Sequence, residues 1–254
     1  MNGAIQRIQA CLNGRRSRDE HPALPVTPAE LARAAAAAAA AGAEAVHLHT
    51  RDAAGAESLR AEDVAAAVAA VRQACPGLPA GVSTGLWMTG GDHPARQAAV
   101  ARWAALPAAG RPDFASVNVP EEGWAEVAGT LAAAGIGVEA GLWSVADVSA
   151  ASAAGLPLLR VMVEVMGVPP GQEAGVADGI LAALDESPLR AVPRLVHGEG
   201  TGCWPLVRYA GQRRLATRIG LEDTLTGPDG EQAGGNGDLV RLALGVLDAA
   251  GPRR

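Results

Sequence analysis

The chain has 254 residues, 49% of them hydrophobic but only 3% aromatic, and a formal charge of −6. That length suits one large α/β domain or two small ones, and the acidic balance argues against a nucleic-acid binder, which needs a basic face. No apolar run reaches the ~20 residues needed to span a bilayer.

The predicted elements alternate from end to end. Strands are expected at Ala4–Cys11, Ala45–His49, Ala80–Ser83, Phe114–Asn118, Ile136–Ala140, Leu158–Val165, Arg194–His197 and Thr217–Leu221. The first helix has Thr27 as N-cap, Pro28 as its first residue and Glu30 as the capping-box partner; it runs through the alanine tract to a stop at Gly42. Further helices are expected around Ala61–Ala74, Ala95–Ala104, Trp124–Ala134, Val145–Ala153, Ala174–Leu184, Trp204–Gly211 and Asp238–Leu247. Eight strand–helix units at this length predict an α/β fold of the (β/α)8 TIM-barrel type. No G-x-G-x-x-G follows the first strand, which disfavours a doubly wound sheet. With no Pro/Gly/Ser linker, residues 1–254 read as a single barrel domain. Cys11, Cys75 and Cys203 are odd in number and form no C-x-x-C, and Met1 is followed by a strand-like stretch rather than a signal core. A reduced, cytoplasmic protein is the expectation.

Active sites of such barrels lie at the C-terminal ends of the strands, and polar residues collect there. His47-Leu48-His49-Thr50-Arg51 closes the second strand, where alternation would point both imidazoles and the guanidinium the same way. Two histidines make two-thirds of a common zinc site and want one carboxylate. The third strand ends in Ser83-Thr84-Gly85, the fourth in Ser116 and Asn118. The fifth carries Glu139 and the sixth Glu164 among outward valines. The seventh ends in His197-Gly198-Glu199-Gly200, and the eighth carries Arg218, Gly220 and Glu222 at one parity, followed by Asp223. A ring of polar groups is costly in a barrel interior unless it serves a site.

Each element also has a plainer reading. The histidines could be satisfied core residues, and Glu222-Asp223 an acidic pair at a helix N-terminus. Glu164 could be the buried partner of Arg160 or Arg194. Gly198–Gly202 could cradle a phosphate or serve as a simple turn. Cys203 reads as apolar filler and Asp92-His93-Pro94 as a helix start. With so few aromatics, each of the five tryptophans is a candidate pocket wall.

Several of these segments occur together, in order, across nearly the whole chain. They are Pro25-Val26-Thr27-Pro28-Ala29-Glu30, Ala41-Gly42-Ala43, His47-x-His49-x-Arg51-Asp52, Ser83-Thr84-Gly85, His197-Gly198-Glu199-Gly200, Arg218-Ile219-Gly220-Leu221-Glu222-Asp223 and Asn236-x-x-Leu239-Val240. In this the chain resembles the β-keto acid cleavage enzymes, best known from the 3-keto-5-aminohexanoate cleavage enzyme of lysine fermentation. The resemblance implies a zinc-dependent (β/α)8 enzyme that converts a β-keto acid and acetyl-CoA into acetoacetate and a new CoA thioester. It also implies His47, His49 and Glu222 as Zn2+ ligands, and Asp223 as general base with Arg218 and Glu139 around it. Ser83 would lie near the substrate carboxylate, the loop after His197 near the CoA moiety, and the assembly would be a homo-oligomer, a tetramer. A zinc hydrolase and a catalytically silent binding barrel are the alternative readings.

Two departures from the family pattern stand out. The type enzyme has a glutamate after the first strand, facing the substrate's ammonium group, whereas this chain has Asn13-Gly14-Arg15-Arg16. A neutral or anionic β-keto acid is therefore expected. The extra sequence that shapes the pocket of longer members is replaced by Val119-Pro120-Glu121-Glu122-Gly123-Trp124, so the wall must be built differently, with Trp87, Trp124, Trp143 or Trp204 as candidates.

Overall fold

A computed structural model describes residues 5–251. The strands are β1 (Ile8–Cys11), β2 (Ala45–Leu48), β3 (Ala80–Ser83), β4 (Phe114–Asn118), β5 (Gly137–Leu142), β6 (Arg160–Val165), β7 (Arg194–Gly198) and β8 (Ala216–Ile219). All pair in parallel with their chain neighbours, and β8 closes on β1. The helices are α1 (Pro28–Ala40), α2 (Ala61–Ala74), α3 (His93–Ala101), α4 (Trp124–Ala133), α5 (Val145–Ala154), α6 (Glu173–Asp185), α7 (Cys203–Arg213) and α8 (Asn236–Ala250). The chain is a (β/α)8 TIM barrel.

Strand parity explains how one short repeat builds both the core and the site. One set of alternate residues, including Val46, Leu48, Val82, Val117, Val138 and Ile219, is mostly apolar, with Thr217 a buried polar member, and packs against the helices. Val161, Val163, Val165 and Val196 do the same on the far side. The other set follows from the pairing of Cys11 with His47, His47 with Gly81, Ser83 with Ser116, and Glu164 with His197. These inward residues are polar or small, so the barrel interior carries the chemistry while the barrel–helix interface carries the hydrophobic burial.

Helix α1 begins as expected. Thr27 caps it, Glu30 completes the capping box, and Leu31, Ala35 and Ala38 are its buried face. The small alanines let α1 lie close to its neighbours, and Gly42 turns the chain out at φ +109°. Asp92 caps α3 through the amide of Ala95.

Several strand boundaries differ from expectation. Ala4 lies outside the described residues, and β1 begins at Ile8. Strand β5 runs on to Leu142. Strand β2 ends at Leu48, and β8 ends at Ile219. The last boundary has a steric cause: a Cβ on Gly220 would stand 1.8 Å from the Cys11 carbonyl oxygen. The backbone there turns hard against β1, and Glu222 and Asp223 follow in that turn rather than in the strand. Asn236 fixes the turn, accepting from the amide of Leu221 at 2.9 Å and donating to the Leu12 carbonyl at 2.9 Å.

Candidate active site

The strand ends surround a cavity of about 500 Å³, whose wall includes His47, His49, Ser83, Glu164, Arg218 and Glu222. His47 and His49 are buried, and Nε2 of each lies 3.7 Å from Glu222 Oε2. One ligand atom from each of the three residues falls within 4.8 Å of the other two. Glu222 therefore reaches back from the β8 turn to the two histidines of β2 and supplies the carboxylate that the pair lacks. It stands clear of the N-terminus of α8, which starts only at Asn236.

The donor set fits a divalent metal on three counts. Glu222 Oε2 is buried without a hydrogen-bond partner, and an orphan anionic oxygen between two imidazoles is costly unless a cation takes it. Burial, with smaller contributions from His49 and Arg218, pushes the His47 imidazole down to about 4, so it is neutral and able to ligate at pH 7. His49 directs Nδ1 to Glu57 Oε1 at 2.5 Å, which leaves Nε2 for the site. Metal-binding histidines characteristically present this imidazole–carboxylate pair. Burial works against the charge on Glu222, but Arg218, His47 and His49 outweigh it and hold that carboxyl down to about 2.

Glu57 was not apparent among the sequence candidates. The Asp52 carboxylate accepts from the amides of Ala54 and Ala56, and the turn returns Glu57 opposite Arg51 as an isolated antiparallel bridge. The signal in the sequence is the turn pattern Asp52-Ala53-Ala54-Gly55, which brings position 57 back beside position 49. Glu57 also accepts from Trp87 Nε1 at 3.0 Å, and the Trp87 ring stacks on His49 at 6.1 Å between centroids.

Arg218 lies across the cavity wall. It donates to Glu222 Oε1 at 2.7 Å and to Asp223 Oδ1 at 2.7 and 3.1 Å. Asp223 is fully buried behind this wall, and its Oδ2 has no partner. Burial and the neighbouring Glu222 raise its carboxyl to about 6 against the pull of Arg218. Ser83 is on the wall, with its Oγ accepting from the Gly85 amide at 3.3 Å.

Other residues are placed differently from expectation. Glu139 does not adjoin Asp223: its carboxylate is paired with Arg160 and accepts from Gln9 at 3.3 Å, forming a buried polar layer beneath the cavity. Arg160 extends over the Phe114 ring, which occupies the space left by Gly81. The partner of Glu164 is neither Arg160 nor Arg194. It accepts from Trp143 Nε1 at 2.9 Å and faces His197 Nε2 at 3.7 Å, while His197 Nδ1 faces Asp223 at 3.8 Å. Arg51 does not join His47 and His49 in the cavity, because β2 has already ended. It donates instead to the carbonyls of Gly14 and Arg16, the latter at 3.1 Å. Of the five tryptophans, Trp87 and Trp143 line the cavity. Trp103 is fully buried, and Trp124 and Trp204 pack on the barrel–helix core. The glycine loop after His197 borders a groove flanked by Glu173 and Glu199, whose charge opposes a phosphate, and its Gly200 amide is taken by the Asp223 carbonyl at 2.8 Å. Cys203 is buried, and burial raises its thiol well above the ordinary range, as suits a filler.

Fold and donor set together define a (β/α)8 barrel with a candidate His-His-Glu metal centre at its C-terminal mouth. The chain belongs to the β-keto acid cleavage enzyme family, whose model matches residues 7–253. No curated protein sequence matches it. Among solved structures, the ternary complex of ObcA with C4-CoA adduct and oxalate superposes with a TM-score of 0.74 at 20% identity, over 90% of this chain and 64% of that one. The binary complex of ObcA with oxaloacetate gives 0.73 at 19% identity, with the same coverages. The carboxyl transferase domain of Rhizobium etli pyruvate carboxylase with pyruvate and biocytin gives 0.62 at 17%, over 99% of this chain and 50% of that one. At these identities the likeness is one of fold. The chain spans less than two thirds of the ObcA chain's length.

Proposed function

We propose that this protein is a zinc-dependent β-keto acid cleavage enzyme that transfers the CH2–COO− fragment of a β-keto acid to the acetyl group of acetyl-CoA. The observation that carries the reading is the convergence of His47, His49 and Glu222, with its orphan Oε2, beside the Arg218–Asp223 pair. Family membership supports the reaction class, and the ligands named for the ObcA structures, a CoA adduct and oxaloacetate, are of the chemical kinds the reading needs.

His47, His49 and Glu222 would hold the metal, which when bound supplies Lewis-acid polarisation of the substrate's β-carbonyl. The remaining work falls to side chains. Asp223, with a carboxyl near 6, is ionised at pH 7 yet basic enough to accept the substrate's α-proton on Oδ2. The resulting carbanion attacks the acetyl carbonyl and CoA thiolate leaves. The thiolate then attacks the β-carbonyl, the bond from that carbon to the acylated α-carbon breaks to give the CoA thioester, and the departing acetoacetate carbanion recovers the proton from Asp223. Arg218 stabilises the developing oxyanions, and Ser83 donates to the substrate carboxylate. Because Asp223 lies behind Arg218 and Glu222, its role requires that wall to open toward Oδ2 when substrate enters. A crystal structure with a bound keto acid and Oδ2 still sealed off would count against the assignment. With Arg15 and Arg16 on the wall, the substrate is neutral or anionic rather than 3-keto-5-aminohexanoate.

The test is incubation of the zinc-loaded protein with a panel of β-keto acids and acetyl-CoA. Acetoacetate, together with a CoA thioester of the remaining acyl group, is the expected result. Cleavage that proceeds without CoA would identify a hydrolase, and stoichiometric zinc missing from both wild type and His47→Ala would indicate a binding barrel.

A further inference from the structure

The loop after β1 presents two arginines to the cavity, and they are not equivalent. Arg16 is spoken for: it donates to Glu20 Oε2 at 2.9 Å and to the Glu222 carbonyl at 3.2 Å. Arg218 is matched by Glu222 and Asp223. Arg15, among the described residues, has no carboxylate within ion-pair distance and no acceptor for its N–H groups. Its guanidinium lies instead over the Trp87 ring, 5.1 Å from the centroid. Arg15 is exposed: that contact orders the cation, while its N–H donors face solvent and remain open to a ligand.

The loop that carries Arg15 is built rather than loose. Asn13 donates to the carbonyls of Pro25 and His49 at 3.1 and 2.9 Å and accepts from the His49 amide at 2.9 Å. Arg51 clamps the carbonyls on either side of Arg15, those of Gly14 and Arg16. The arginine of the H-x-H-x-R run thus holds the next arginine in place. Trp87 is stacked on His49 at 6.1 Å, so the Arg15 guanidinium is no farther from that imidazole than these two ring distances laid end to end. Elsewhere on the wall, Glu164 of β6 and Glu199 after β7 repel an anion.

We infer that Arg15 is the specificity determinant for a distal carboxylate, and that the substrate is a β-keto dicarboxylate. This rests on the cleavage reading above: the proximal β-keto acid group sits at the His47–His49–Glu222 site, and the second carboxylate reaches across Trp87 to Arg15. Arg15 is exposed at the cavity mouth, and a guanidinium–carboxylate contact formed there in competition with water is worth about 2- to 5-fold in binding.

The experiment compares 3-oxohexanedioate with 3-oxohexanoate, which share a carbon chain and differ in the distal carboxylate. Binding to zinc-loaded protein is measured by calorimetry, and kcat and KM are measured with acetyl-CoA. Wild type should favour the diacid by about 2- to 5-fold. Arg15→Ala should collapse that ratio through KM rather than kcat, Arg15→Lys should retain part of it, and Arg15→Glu should invert it. An Arg15→Ala ratio equal to that of wild type overturns the inference. So does a wild type that binds neither acid or both equally, or an Arg15→Ala variant whose only change is a raised KM for acetyl-CoA. The two readings separate cleanly: if no β-keto acid of the panel, these two included, yields acetoacetate the cleavage reading fails, while the binding ratio still decides the role of Arg15.

Discussion

Replacing Glu57 by glutamine tests whether the metal site depends on a carboxylate that never touches the metal. Glu57 accepts two N–H donors at once, His49 Nδ1 at 2.5 Å and Trp87 Nε1 at 3.0 Å. Burial opposes its charge, but the bonds from His49 and Trp87 and the nearby Arg51 hold its carboxyl below the ordinary value. A glutamine of the same shape has one acceptor and one donor end. If its oxygen keeps Trp87, its NH2 faces His49 Nδ1, and the imidazole must shift its proton to Nε2, the nitrogen aimed at Glu222. If its oxygen keeps His49, the Trp87 N–H faces an NH2 and loses its acceptor, and the imidazole loses an anionic partner either way. Loss of such a partner typically weakens metal binding by about 10- to 100-fold, roughly 1.4–2.7 kcal/mol. The assay is competition for zinc against a chromophoric chelator at pH 7.5, with the thermal midpoint of the metal-free protein as a check on folding. A Glu57→Gln protein that folds normally and binds zinc within twofold of wild type would refute the argument.

Three further outcomes follow from the same geometry. Gly14 has φ +56°, and a Cβ there would stand 2.5 Å from Glu222 Cγ. Gly14→Ala should therefore cost about 1 kcal/mol of backbone strain and weaken zinc as Glu222 is displaced, and chelator competition beside urea unfolding would expose the error if only stability changed. Glu222→Gln should weaken zinc itself, whereas Asp223→Asn should keep zinc and lose turnover; equal zinc loss by metal analysis would mean the two roles are misassigned. The third outcome concerns acid stability. The Thr27 amide above all, then the Val26 amide and Arg18, hold the Glu30 carboxyl down to about 2 against some burial. A folded pKa below the unfolded value stabilises above the unfolded value of about 4.3 and is lost as pH falls through 2. The urea midpoint of Glu30→Gln should lie below that of wild type at pH 7 and converge with it toward pH 2, and a constant gap across that range would remove the carboxylate as its cause.

The barrel was legible because its determinants are local. Thr27, Pro28 and Glu30 start a helix by chemistry confined to one turn, and strands such as Phe114–Asn118 are bounded by residues that stop them. Outward valines such as Val161 and Val163 announce their facing by parity alone. The convergence of His47, His49 and Glu222 is legible at one remove, since a closed barrel brings the ends of β2 and β8 to the same mouth. What parity could not supply was anything decided after a strand ends. Arg51 shares the i, i+2 spacing of the two histidines, yet β2 stops at Leu48, and the guanidinium follows the turn instead of the pleat. Glu139 has the parity of an interior residue but lies too deep, where Arg160 is the only cation on the next strand at its level.

The misplacement of Arg51 is also what makes the site intelligible. A cation beside two histidines would repel a metal and help little in holding one. Moved one turn away, it orders the Gly14–Arg16 backbone, and that backbone both abuts Glu222 and carries Arg15. Metal ligand geometry and substrate charge selection are thus fastened to the same clamp, so Arg51 should couple the two: its loss should disturb zinc affinity and anion preference together, although it touches neither ligand.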